Sequence, residues 1–125
     1  ADAIPADRFG LDIGPQTIAE FQPMIRNAKT VVWNGPMGCF EMAPFAKGTF
    51  SVCEAVAKSD SISIIGGGDS VAAARRFGVL ERMGYVCTSG GGMVRFLSGQ
   101  TLPVVEALRR SARRQRGEGK GSGRD

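Results

Sequence analysis

Residues 64–70, IIGGGDS, bring three glycines and a carboxylate to the end of an apolar run. Glycine loses the most conformational freedom when it is fixed, so a triplet needs a reason. A helix N-terminus supplies one. Its free N–H groups and partial positive charge suit a phosphate, and bulky side chains there would block the approach. A second triplet, residues 90–92, follows another apolar run, YVCT at 85–88. The two triplets read together as a paired phosphate cradle, or as two tight turns in which glycine only supplies unusual backbone angles. Their shared position after apolar runs favours phosphate. Asp69 has two compatible readings: a cap on the helix that follows, or a Mg²⁺ ligand, since magnesium is usually held by one or two carboxylates plus substrate oxygens. Ser70 is a cap or a phosphate contact. Neither the P-loop pattern nor the dinucleotide GxGxxG is present.

Other chemistries are disfavoured. The chain has no histidine, which removes the usual general base near neutral pH. Cys39, Cys53 and Cys87 are widely spaced with no CxxC, which argues against a zinc site or a disulfide framework and for a reducing compartment. The first residues, ADAIPADRFG, show no basic region followed by an apolar one, and no apolar run approaches the roughly 20 residues of a membrane span. The expected setting is intracellular, cytoplasmic or organellar and not secreted, with no membrane partner.

The elements that must position these loops follow from periodicity. TVVWN (30–34), SISII (61–65) and YVCT (85–88) are short, β-rich runs that end in glycine-rich or polar sequence. Helical patterns lie between them. TIAE (17–20) fits a capping box, with Thr17 and Glu20 reciprocal and Pro23 awkward further on. TFSVCEAVAK (49–58) repeats apolar residues on one face with Thr49 as N-cap, and SVAAARRFG (70–78) ends at Gly78 in the C′ role. MVRFLSG (93–99) and PVVEALRR (103–110) complete the set, with Pro103 in the first turn. The alternation predicts right-handed crossovers and an α/β fold: a three-layer, Rossmann-like parallel sheet, partial in extent. Ligands of such sheets bind beyond the carboxyl ends of the strands, where all three glycine-rich or polar loops would fall.

Charge divides the chain. Residues 109–125 hold seven basic and two acidic residues, whereas the preceding 108 hold nine and ten. The expected organisation is a globular part over 1–110 and a basic Gly/Arg/Ser-rich tail over 111–125, disordered in isolation.

Residues 10–17 (GLDIGPQT), 31–41 (VVWNGPMGCFE), 45–49 (FAKGT), 64–70 (IIGGGDS) and 97–103 (LSGQTLP) resemble, in order and spacing, the C-terminal part of the nucleotide-binding lobe of phosphoglycerate kinase. The likeness covers about residues 3–109. It implies a segment of an enzyme that binds Mg-ADP or Mg-ATP and moves a phosphoryl group between 1,3-bisphosphoglycerate and ADP in glycolysis, between two lobes that close on a hinge. Asn34, Gly35 and Pro36 would line the nucleotide site, and Glu41 would accept from the ribose hydroxyls. Gly66, Gly67, Gly68, Asp69 and Ser70 would meet the phosphates. Gly67, Gly68, Gly90 and Gly91 would face the transferring group, and Asp69 would serve the metal. Phe40 and Met37 would pack near the base or belong to the core, and Trp33 reads as core.

The sequence also departs from the family. Ser89 stands where the last motif usually begins with glycine, Gly92 replaces an alanine, and Met93 and Arg95 replace a serine and a glutamate. Ser70 takes a place usually held by threonine, and Cys39 one where valine is common. The substrate lobe and the first half of the nucleotide lobe, with its phosphoryl-neutralising lysine, are not in these residues. Phosphoryl transfer depends on positioning and charge neutralisation, so the chain alone is expected to be inactive, with nucleotide binding weak or lost. The sheet edge facing the absent strands needs a cover, from an N-terminal lobe or another subunit. The alternative is a non-catalytic structural or interaction subunit, the half-lobe serving as scaffold and the basic tail meeting RNA or an acidic protein surface.

Overall fold

The computed structural model describes residues 3–116. All three apolar runs are strands: β1 (Thr30–Asn34), β2 (Ile62–Gly66) and β3 (Tyr85–Cys87). They form one parallel sheet in the order β1-β2-β3. The register sets Asn34 beside Gly66 and Gly66 beside Cys87, so the three carboxyl ends share one edge. The helices are α1 (Pro15–Asn27), α2 (Lys47–Ala57), α3 (Gly68–Arg76), α4 (Gly90–Leu97) and α5 (Pro103–Gln115). Parallel neighbours need crossovers, and α2 and α3 supply them. The α/β class expected from the alternation is the one observed.

The chain divides into two compact units, the first ending at Gly90 and the second beginning at Gly91. In the first, Trp33 and Ile65 from one face of the sheet join Val52, Cys53 and Val56 of α2 and Val71, Ala73 and Ala74 of α3 in a single buried cluster. The small residues of α3 let its axis approach the sheet closely. Alternation places Val32, Ile62 and Tyr85 on the opposite face, where they are 49%, 58% and 68% exposed. In the second unit, α4 turns through Gly99 and Gln100 into α5, and Arg95 Nε donates to Gln100 Oε1 at 3.4 Å.

Three expected caps are corrected. The capping box at Thr17 does not form: α1 begins at Pro15, with Gly14 in the cap position and no side-chain cap. Proline's fixed φ suits the first helical turn, so it starts the helix upstream of the threonine. The helix also continues past Pro23 to Asn27. Thr49 is not the N-cap of α2, which begins at Lys47 after Ala46. It is fully buried, and its hydroxyl serves a neighbouring loop instead. Asp69 does not cap α3: the helix starts at Gly68 with Gly67 in the cap position, which leaves Asp69 in the first turn. At the other end, Gly78 follows the C-cap Phe77 with φ 71°, as the C′ reading requires.

In the second unit, Pro103 opens α5 as expected, but the helix continues to Gln115, so the boundary at residue 110 falls inside it. The charge change there is real, yet Arg, Ala and Gln are strong helix formers and carry the helix on. The remaining tail residues, 117–125, lie outside those described. Among the described residues, no helix is long and apolar enough to cross a membrane.

Candidate functional site

The carboxyl edge of the sheet is built around Asn34. Its Oδ1 lies 3.0 Å from where a Cβ on Gly67 would be and 2.6 Å from one on Gly90. A Cβ on Gly90 would also sit 3.0 Å from the Gly67 Cα. The ends of β1 and β2 and the start of α4 therefore converge so tightly that side chains at 67 or 90 would force the backbone apart. Gly67 N–H also donates to the Cys87 carbonyl at 3.0 Å, which closes β2 onto β3. Gly67 has φ 94° and ψ 143°, a region essentially reserved for glycine.

Gly68 is different. A Cβ there would meet no atom within 4 Å, and its backbone is already helical. Nothing in the protein's own packing or backbone angles calls for glycine at 68. A bare, accessible helix N-terminus with the exposed Asp69 carboxylate beside it is what remains. Asp69 fits magnesium held jointly with substrate oxygens. Among the described residues there is no group of three or more His, Cys, Asp or Glu that could hold a metal unaided.

The loop after β1 is fastened at both ends and in the middle. Gly35 N–H donates to Ser70 Oγ at 2.6 Å, and Trp33 Nε1 donates to the Gly35 carbonyl at 2.6 Å. Met37 and Gly38 N–H donate to Thr49 Oγ1 at 3.1 and 3.4 Å. Arg76 Nη1, at the far end of α3, donates to the Phe40 carbonyl at 2.8 Å. Ser70 is fully buried, so its hydroxyl acts within the protein, joining the start of α3 to the loop. Phe40 is 5% exposed and belongs to the core cluster. Gly35 and Pro36 are half-buried, Met37 packs against the core, and Glu41 is exposed where the loop ends. Gly66 is buried at the end of β2. Gly91 opens the second unit, with no atom within 4 Å of a Cβ placed there. The structure thus gathers Asn34, Gly35, Gly66, Gly67, Gly68, Asp69 and Gly90 on one edge, and turns Phe40 and Ser70 inward.

Residues 10–13 received no role from the sequence, yet they underlie this loop. Cys39 N–H donates to the Leu11 carbonyl at 2.9 Å, and Gly48 N–H donates to Asp12 Oδ2 at 2.8 Å. A Cβ on Gly38 would strike Leu11 and Asp12, and one on Gly48 would strike Asp12 and Ile13. Phe9, Gly10, Leu11, Asp12, Thr17 and Phe45 line a cavity of about 710 Å³ beside it. GLDIGPQT (10–17) stood out as a motif without a role, and the glycines at 38 and 48 mark positions whose partners lie far away along the chain. Cys53, at the centre of the core, has its thiol pushed up to about 12 by burial, so near neutral pH it is a protonated packing group and not a thiolate.

Parallel strands whose carboxyl edge carries a glycine loop opening a helix define an open α/β protein. Within that class the family is specific. The phosphoglycerate kinase family model matches residues 1–100, and the chain belongs to that family. It is 52% identical over 109 residues to the phosphoglycerate kinase of Salinispora tropica, which covers 86% of this chain and 27% of that protein. Over 108 residues it is 53% identical to that of Fusobacterium nucleatum, with the same coverage. The solved phosphoglycerate kinase of Coxiella burnetii superposes with a TM-score of 0.77 at 43% identity, over 86% of this chain and 28% of that one. That of Pyrococcus horikoshii gives 0.71 at 39%, over 79% and 24%. The chain thus spans about a quarter of the length of these relatives.

Proposed function

We propose that this chain supplies one wall of a Mg-nucleotide site for phosphoryl transfer between 1,3-bisphosphoglycerate and ADP, and that the transfer itself needs the remaining length that its relatives carry. Gly68 is the observation that supports this most directly: it is a glycine with open space at its Cβ and ordinary helical angles, at the start of a helix whose first turn holds an exposed carboxylate. The α3 N-terminus takes the phosphates, and Asp69 shares Mg²⁺ with their oxygens. Asn34 and Gly35 border the same edge. Glu41, at the end of the fastened loop, accepts from the ribose hydroxyls, and the cavity walled by Leu11 and Phe45 offers apolar surface for the base. The residues present fit the metal and the nucleotide, and Mg²⁺ would supply charge neutralisation at the transferring group.

Calorimetric titration of the chain with MgADP tests the reading. Weak binding that Asp69→Ala abolishes supports it, and the absence of heat with both MgADP and MgATP overturns it. In a coupled assay the chain alone should give no turnover. A rate near the usual kinase range of about 1–100 s⁻¹ would show that these residues suffice.

A further inference from the structure

Arg76 lies in the last turn of α3, where a basic side chain ordinarily serves the helix's own final carbonyls. Here its Nη1 donates instead to the Phe40 carbonyl at 2.8 Å, 36 residues earlier in the chain. Among the described residues it has no carboxylate partner. The carbonyl it holds belongs to a tight turn. Met42 N–H donates to the Cys39 carbonyl at 3.0 Å, which closes a four-residue β-turn with Phe40 and Glu41 at its centre. The Phe40 carbonyl is therefore part of the turn's middle peptide. That peptide is the least constrained part of such a turn: types I and II share their ends and differ by its reversal, which changes ψ of the second residue and φ of the third. Phe40 and Glu41 are those two residues. The Phe40 ring is buried in the core, but a buried ring does not by itself set the direction of the peptide beyond it. The Arg76 hydrogen bond sets it, and with it the direction in which the exposed Glu41 side chain leaves the turn. Every group in this arrangement belongs to the first compact unit.

We propose that Arg76 is a positioning residue of the nucleotide site: its hold on the Phe40 carbonyl aims the Glu41 carboxylate at the ribose hydroxyls. The proposal rests on Glu41 meeting the ribose. Arg76 touches no part of the nucleotide itself and acts only through the turn. A positive charge near an anionic ligand also acts through its field, and Arg75 provides the comparison. It is adjacent, carries the same charge and is likewise exposed, yet among the described residues its side chain makes no hydrogen bond. An effect of the field falls on the phosphates and is shared by the two arginines. An effect of the turn falls on the ribose and belongs to Arg76.

Calorimetric titration of the full chain with MgADP and with the magnesium complex of 2′,3′-dideoxy-ADP separates the two. The parent should prefer MgADP by about tenfold or more, since the dideoxy ligand offers Glu41 no hydroxyl to accept from. Arg76→Met keeps the length of the side chain and removes its donors. It should weaken MgADP by about three- to tenfold, the worth of one net hydrogen bond, and leave the dideoxy ligand unchanged. Arg76→Lys, which retains a donor and the charge, should fall between the parent and Arg76→Met. Arg75→Met should bind both ligands like the parent. In a Glu41→Ala background, Arg76→Met should weaken MgADP no further. Urea unfolding followed at Trp33 shows that each variant is folded. Equal weakening of both ligands by Arg76→Met, no change in either, the same effect from Arg75→Met, or additive losses in the Glu41→Ala background overturns the proposal. A parent that binds MgADP and the dideoxy ligand equally also overturns it, while leaving the Mg-nucleotide reading intact. A parent that binds neither overturns both.

Discussion

Gly67→Ala and Gly68→Ala are adjacent, chemically identical substitutions for which the structure gives opposite signs. At Gly67 the backbone has φ 94° and ψ 143°, so an alanine there carries a strain of about 1–3 kcal/mol. Its Cβ would also stand 3.0 Å from Asn34 Oδ1, so the asparagine must shift as well. At Gly68 the backbone is helical and a Cβ meets nothing within 4 Å. There the change reduces the freedom of the unfolded chain and stabilises by about 0.4–1 kcal/mol. The gap between the two variants is therefore about 1.4–4 kcal/mol, where a shift of 1 kcal/mol moves Tm by about 4–8 °C in a domain near this size. Urea unfolding followed through the fluorescence of Trp33, the single tryptophan and 5% exposed in the core, reads both variants with one probe. MgADP titration adds a second axis. Gly68→Ala should weaken binding while raising stability, because its methyl group occupies only the space through which a phosphate approaches the helix. Equal unfolding midpoints, or a Gly68→Ala variant less stable than Gly67→Ala, would refute the argument that these glycines serve different purposes.

Two further outcomes follow from the core. Cys39 and Cys87 are half-buried and should react with a thiol reagent in the native state, whereas Cys53, fully buried with its thiol pushed up to about 12 from 9.0, should react only on unfolding. Because its folded pKa is raised, its contribution to stability is complete below about pH 9 and is lost between about 9 and 12, at up to about 1.4 kcal/mol per pH unit; a Cys53→Ala variant should lack that slope, and native labelling of all three thiols at one rate would contradict it. Thr49→Val keeps the shape of the side chain but removes the acceptor for the Met37 and Gly38 N–H groups, so it should cost about 1–3 kcal/mol; an unchanged urea midpoint would show that the loop does not depend on this tether.

The strands, their parallel order and the placement of the glycine loops on one edge were legible because each rests on local signals: β-branched runs, glycine after them, and helical spacing between. The family was legible from the same motifs. The caps were not. Thr17 and Thr49 have the composition of N-caps, but Pro15 starts one helix earlier, and the Thr49 hydroxyl is claimed by a loop twelve residues upstream. Ser70 and Phe40 looked available to a ligand, yet the first is tied to Gly35 across 35 residues and the second sits in the core. Neither burial is visible until the sheet brings those segments together. Residues 10–13 were missed for the same reason. The helix over 103–110 was legible, but the basic run after it was read by charge alone, which hid its continuation to Gln115.

Helix α3 is fastened to one loop at two points, through Ser70 near its start and Arg76 at its end. Six residues of helix separate those tethers, a rise of about 9 Å. That makes α3 a spacer of fixed length between Gly35 and Phe40, and it gives the segment a particular pattern of tolerance. Point substitutions at exposed positions such as Ala72 or Arg75 leave both tethers in place. A single-residue insertion or deletion between 70 and 76 would swing Arg76 about 100° around the helix axis and carry it off the Phe40 carbonyl. The chain can therefore drift in composition along α3 far more freely than it can drift in length.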